Sequence, residues 1–183
     1  MKCGFDIDGV VCDFVSGARD GSKNIGLDLS DKNIMSEYHS KPDAYENMLA
    51  DEAFWLNLKP IRSSWHFIND IFYKGHDVFF ITSRFKDEAI SVTERWLDEW
   101  GFMFCKVLFT ENATGKARAY ESLDLDFFVD DLPSVASAVA SVGSAYILKH
   151  PYIEDSISRP VAYEYGVKEI MELKELYGIE VEK

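Results

Sequence analysis

Short apolar runs recur along the chain at Cys3–Ile7, Val78–Ile81, Val107–Phe109, Phe127–Val129 and Ala145–Leu148. Runs this brief predict buried parallel strands rather than helices. Helical spacing fills the intervals between them. From Asp87 to Trp100, the positions Ile90, Thr93, Trp96, Leu97 and Trp100 recur three or four residues apart, with Glu88, Glu94, Asp98 and Glu99 on much of the other face. Gly101 then ends that helix. Pro133 stands where a first turn would begin, and Val135, Ala138, Val139 and Val142 form an apolar side before Gly143. Val167, Ile170, Met171 and Leu173 repeat the spacing and predict a further helix over Val167–Tyr177. Strands alternating with helices define a Rossmann-like α/β fold, with a parallel, doubly wound sheet of about five strands flanked by helices.

One interval breaks the alternation. No convincing strand lies between Phe14 and Pro60, and so long a stretch is not a structureless loop inside a compact domain. Ser30 and Asp31 can cap one helix there, and Pro42 with Asp43 can open another that carries Tyr45, Met48 and Leu49. The expected organisation is a core of residues 1–13 and 61–183, with residues 14–60 folded as a small helical cap inserted after the first strand.

Composition narrows the functional classes. The chain has 183 residues, about one domain, and its 47% hydrophobic content argues for a packed globule. Its net charge of -13 repels nucleic-acid backbones and anionic membranes over most of the surface. No nucleic-acid polymer and no membrane is therefore expected as a partner. A small phosphorylated substrate remains compatible, provided that local cations override the global field. Cys3, Cys12 and Cys105 lack the close spacing of a zinc or redox site and read as core thiols in a reducing compartment. Asp6 and Asp8 interrupt the first apolar stretch too early for a secretory signal, so a cytoplasmic location is expected. Whether the chain pairs as a homodimer is left open.

The chemistry gathers at strand ends, where open α/β sheets place their ligands. Phe5-Asp6-Ile7-Asp8-Gly9 sets two acids two residues apart at the end of the first run. Two carboxylates so close repel unless a cation or a shared proton separates them, and magnesium, a hard ion with oxygen ligands, suits them. Ile81-Thr82-Ser83-Arg84 ends the second run in hydroxyls and a cation, groups that can bind phosphate oxygens. Val129-Asp130-Asp131 ends a later run in adjacent acids, and Lys116 precedes that run where it could neutralise phosphate and an attacking carboxylate. Each feature also has an ordinary structural explanation: exposed acids around a turn, helix caps at Ser83 or Asp131, a surface lysine. Acid, hydroxyl and acid ending three separate strands in that order, with a lysine before the last, are hard to explain by capping alone.

In these motifs the sequence resembles phosphatases of the haloacid dehalogenase (HAD) superfamily along its whole length. The resemblance implies that Asp6 attacks phosphorus to form an aspartyl phosphate, while Asp8 serves as general acid and then as base. It further implies that Mg2+ is held by Asp6, the backbone carbonyl of Asp8 and the Asp130–Asp131 pair. Thr82 or Ser83, with Lys116, would grip the phosphoryl group. Asp6-Ile7-Asp8-Gly9-Val10-Val11-Cys12-Asp13-Phe14 is similar to the opening of the 5'(3')-deoxyribonucleotidase and 5'-nucleotidase family. Phe54-Trp55-Leu56-Asn57-Leu58-Lys59-Pro60 is similar to that family's aromatic segment at the end of the cap. The implied substrate is a nucleoside monophosphate contacted by Phe54, Trp55 and Arg84. Core packing is the competing role for both aromatics. Rival readings are a phosphatase for another small metabolite or a polynucleotide end, and a non-catalytic phosphate- or magnesium-binding module on the same fold. A receiver-type signalling domain is disfavoured by motif order and by the insertion after the first strand.

Overall fold

A computed structural model describes residues 1–23, 42–84, 87–102, 104–150 and 166–178. Six parallel strands form one sheet: β1 (Lys2–Phe5), β2 (Asp77–Thr82), β3 (Lys106–Phe109), β4 (Phe127–Asp130), β5 (Ala145–Leu148) and β6 (Lys168–Ile170). Their order is β3-β2-β1-β4-β5-β6. The chain builds outward from β1 to one edge, then returns to β1's other side at β4. That reversal makes the carboxyl ends of β1 and β4 a topological switch point, where a crevice opens.

Among the described residues the helices in chain order are α1 (Phe14–Lys23), α2 (Pro42–Leu49), α3 (Glu52–Asn57), α4 (Arg62–Tyr73), α5 (Asp87–Glu99), α6 (Ala113–Leu123) and α7 (Pro133–Ala140). The first three lie within the interval assigned to the cap. The proposed cap at Ser30 and Asp31 falls outside the described residues. Gly101, at φ 78°, follows α5 in the left-handed conformation that lets a helix end sharply.

The sheet separates two apolar layers. Phe5, Phe80, Phe127 and Val129 point to one side with Phe67, Ile68, Trp96 and Phe102, whereas Phe79, Ile81 and Phe128 point to the other with Tyr120, Val135 and Val139. The alternation follows from the two-residue repeat of a strand. Residues apolar at both parities therefore bury both faces of the central strands β1, β2, β4 and β5, apart from Lys2 and Asp77 at their starts. Phe14, Phe54, Trp55 and Leu58 extend the first layer and join the α1–α3 segment to the sheet.

The helix expected over Val167–Tyr177 is a strand followed by a single 3₁₀ turn, Leu173–Leu176. Helical spacing was a coincidence of a short segment. Ile147, Leu148 and Tyr146 of β5 offer an unpaired edge, and Lys168–Ile170 satisfies its backbone in register, with Leu148 opposite Ile170. Only Ile170 of the new edge strand is buried, so its sequence lacks the apolar run of a central strand.

Gly143 packs against the ring of Tyr120, whose hydroxyl accepts a hydrogen bond from Ser144 N at 3.0 Å. A Cβ at residue 143 would meet that ring at 2.1–2.3 Å. Gly143→Ala should therefore destabilise the fold by about 1–3 kcal/mol, the usual range for overpacking. Denaturant melts of the two proteins measure the difference, and equal midpoints would show that Tyr120 moves aside freely.

Candidate active site

Asp6 extends β1 by one residue, its amide donating to Val129 O of β4 at 2.9 Å. The chain then turns tightly. Ile7 O accepts from the amides of Val10, Val11 and Cys12 at 2.8–3.3 Å, and Gly9 takes φ 76°, a conformation that suits a residue without Cβ. This turn fixes Asp6 above the switch point. Ile61 N donates to Val11 O and Asp13 N to Lys59 O, so the strands of chain leaving and re-entering the sheet region run side by side.

Lys116 sits in the first half of α6, whose start is capped by Asn112 Oδ1 accepting from Gly115 N at 3.0 Å. Its ammonium is buried between two carboxylates, 2.7 Å from Asp6 Oδ1 and 2.9 Å from Asp130 Oδ2. Asp130 Oδ1 accepts from Leu132 N at 2.9 Å, so both of its oxygens are held. Asp131, also buried, completes a group in which oxygens of Asp6, Asp130 and Asp131 lie within 4.8 Å of one another.

Three acids cannot all stay ionised there on one lysine without cost. Burial, the largest influence, pushes the Asp6 carboxyl up to about 7, with Asp130 and Asp8 adding to the rise and Lys116 opposing it. Burial alone would favour neutral Lys116, but Asp130 and Asp6 outweigh it and hold the ammonium charged. Asp6 Oδ1 makes its ion pair at 2.7 Å without the alignment of a hydrogen bond, which leaves a buried carboxylate oxygen short of a donor. An oxygen-only donor set, excess negative charge and an orphaned lone pair together fit a hard divalent cation.

Thr82 ends β2 beside this group. Its side chain is buried, and its Oγ1 accepts from Arg84 N at 3.4 Å, a long contact. Ser83 is exposed. Asp8 does not join the three-acid group among the described residues. Its carboxylate faces Arg84, with Nε donating to Oδ2 at 2.8 Å and a second guanidinium nitrogen donating to Oδ1. Arg84, expected to meet substrate, is instead buried, with 2% of its side chain exposed. Phe54 and Trp55 are buried as well. Phe54 meets Phe14 edge-on at 5.8 Å, and Trp55 Nε1 donates to Leu49 O at 2.7 Å. Packing between α3 and the body explains both rings, the competing role that the sequence offered.

Two contacts were not foreseen. The Arg84–Asp8 fork crosses 76 positions, and no local spacing announces it. His150, after β5, reaches back to Gly9 O at 2.5 Å, where its Nε2 donates to that carbonyl, and burial holds its imidazole below the usual range. Nothing in the local spacing around His150 announces this contact either.

No protein-family model matches the chain, and no curated protein matches it in sequence. Solved structures do share its fold. A dehalogenase with an intermediate complex superposes with a TM-score of 0.66 at 9% identity, covering 100% of this chain and 97% of the other. A HAD family hydrolase from Deinococcus radiodurans R1, with bound phosphate and sodium, gives 0.62 at 13% identity over 96% and 92%. A HAD-superfamily hydrolase from Ehrlichia chaffeensis gives 0.55 at 10% identity over 96% and 93%. The chain thus has the α/β fold of HAD-type hydrolases.

The raised Asp6 carboxyl has a thermodynamic signature. Between pH 3.8 and about 7 the folded protein binds more protons at Asp6 than the unfolded chain does. That group supports folding at low pH, and its support is lost as pH rises through about 7. In chelator, Asp6→Asn should melt several degrees above the wild type at pH 8, where the wild type keeps a buried charge, and above it by less than half that margin at pH 5. Thermal melts at the two pH values test this, and an equal offset at both would show that the Asp6 charge is not the source.

Proposed function

We propose that the chain is a Mg2+-dependent phosphomonoester hydrolase of the HAD type that works through an aspartyl phosphate on Asp6. The observation that supports this most directly is the Lys116 ammonium between Asp6 and Asp130 at the switch point. A carboxylate attacks a phosphate dianion poorly unless nearby cations cancel the repulsion. Lys116 supplies one such charge. Asp6, Asp130 and Asp131 would hold the metal, which would supply further positive charge to the phosphoryl oxygens.

In the first half-reaction an Asp6 oxygen bonds to phosphorus and the ester P–O bond breaks. Its electron pair goes to the leaving oxygen, which takes a proton from Asp8. Water then attacks phosphorus and gives its proton to Asp8, while the P–O bond to Asp6 breaks and returns its pair to the carboxylate. Thr82 and the exposed Ser83, at the end of β2, would supply hydroxyls to the phosphoryl oxygens. A dehalogenase shares the fold but expels halide, which needs no proton. Asp8, an acid beside the nucleophile, therefore favours ester cleavage over carbon–halogen cleavage.

Nucleoside monophosphates are the substrate class to which the opening motif and the Phe54–Pro60 segment point. Direct base stacking on Phe54 or Trp55 is not how we expect them to be recognised, because both rings are committed to packing. A cleft of about 520 Å³ lies among α1, α2 and α3, bordered by Asp13, Asn47, Met48, Phe54 and Lys59.

Phosphate release across nucleoside monophosphates, sugar phosphates and a 5'-phosphorylated oligonucleotide tests the substrate, with turnover of the monophosphates expected to dominate. Asp6→Asn should reduce turnover of every ester to background while the protein stays folded by circular dichroism. Near-normal turnover in that variant would rule out covalent attack by Asp6. Activity should also vanish in chelator and return with Mg2+ but scarcely with Ca2+, whose looser coordination misplaces the reacting oxygens. Full turnover in chelator would remove the metal from the mechanism.

A further inference from the structure

We infer that Arg84 is a positioning residue for Asp8, fixing the carboxylate from which the leaving oxygen draws its proton. This rests on the phosphohydrolase reading and goes beyond it. The evidence is geometric. Arg84 presents two nitrogens to the two Asp8 oxygens, Nε at 2.8 Å and Nη2 to the other, the fork arrangement that fixes a carboxylate's plane as well as its place. Nη1 donates to Thr93 Oγ1 at 3.2 Å, and Thr93 in turn donates to Ala89 O at 2.6 Å.

The guanidinium is also held across its faces. Its centre lies 4.5 Å from the Trp55 ring and 5.9 Å from the Trp96 ring. Those rings are themselves anchored, Trp55 Nε1 to Leu49 O and Trp96 Nε1 to Leu58 O. Arg84 is thus fixed from α3, α5 and the end of β2. Asp8 lies on the turn after β1, and its side chain is 27% exposed, so one side of it remains open. Each carboxyl oxygen keeps a second lone pair outside the fork, so a proton can sit on Asp8 while Arg84 stays bound, although the ion pair itself favours the carboxylate.

A buried guanidinium engaged on its edge and covered by indoles is not offered to substrate. It is suited to holding something else still. Proton transfer requires hydrogen-bond reach, and a misplacement of about 1 Å can cost on the order of a hundredfold.

The test separates reactions that need Asp8's proton from those that do not. p-Nitrophenolate leaves readily without protonation, whereas the alkoxide of benzyl phosphate needs the proton; the two esters are similar in size. kcat/KM reports steps through phosphoenzyme formation. In Arg84→Lys, which keeps the charge but not the fork, kcat/KM for benzyl phosphate should fall about ten- to a hundredfold, while that for p-nitrophenyl phosphate stays within about threefold. Thr93→Val, which removes only the third anchor, should shift the ratio in the same direction by less. In an Asp8→Asn background, Arg84→Lys should change the ratio no further.

Equal proportional losses on both esters, an unchanged ratio in either folded variant, or an undiminished effect of Arg84→Lys in the Asp8→Asn background would overturn the inference. Should Arg84→Lys fail to fold, the ratio in Thr93→Val decides the matter. A wild type that turns over neither ester would sink the phosphohydrolase reading and this inference with it. Wild-type turnover with unmoved ratios would sink the inference alone.

Discussion

The mutual repulsion of Asp6, Asp130 and Asp131, packed within 4.8 Å of one another and out of water, is the constraint around which the carboxyl edge of the sheet is organised. Like charges in a low-dielectric setting are held together only by fixed opposite charge, by protons or by metal. Lys116 answers part of that demand, and its own burial is tolerable because two carboxylates face it. Folding therefore leaves an excess of negative charge at the point where, on the proposed reading, a divalent cation would complete the balance. Stability is given up there, as expected where a binding site must stay incomplete until its ligand arrives.

The surrounding packing supplies the rigidity that this arrangement needs. Asp6 and Asp130 end adjacent central strands, so their separation is set by the ladder between β1 and β4 and not by loop conformation. Lys116 is brought in by α6, which packs against α7 on the far side of the sheet. Gly4 contributes by lacking a side chain. A Cβ there would approach Leu125 and Phe128 at 2.6–2.7 Å, so the backbone of β1 can lie under Phe128 only because residue 4 is glycine.

A second charged centre lies beside the first and is built differently. Arg84 and Asp8 pair within an aromatic enclosure of Trp55 and Trp96, and burial of the guanidinium is offset by the Asp8 carboxylate, which keeps it firmly protonated. Trp55 belongs to α3, so the packing of the inserted helices on the body and the setting of Asp8 depend on the same residues. Arg95 and Glu52 add a surface ion pair between α5 and α3, a contact that contributes little by itself. The aromatic segment Phe54–Trp55 thus bears on the site through structure, by holding what holds Asp8.

Central strands were legible in the sequence because each is buried on both faces and must be apolar throughout. The same holds for the acids that end β1 and β4, since charge placed directly after such a run stands out against it. Asp6, Lys116, Asp130 and Asp131, which the order of strand-end motifs singled out together with Asp8, Thr82 and Ser83, are brought together in the structure. β6 was not legible, because an edge strand needs one buried side chain and a partner's free backbone, and the partner is not encoded in its own residues. Nor was the division of labour between neighbours such as Asp6 and Asp8. They stand two residues apart in the chain, but the turn over Gly9 separates their surroundings, giving one a lysine at 2.7 Å and the other an arginine 76 positions away. The sequence by itself determined which residues carry charge to the sheet's edge. Which charges face each other was decided by tertiary structure, because pairing between distant residues depends on how the strands and helices pack and not on their spacing along the chain.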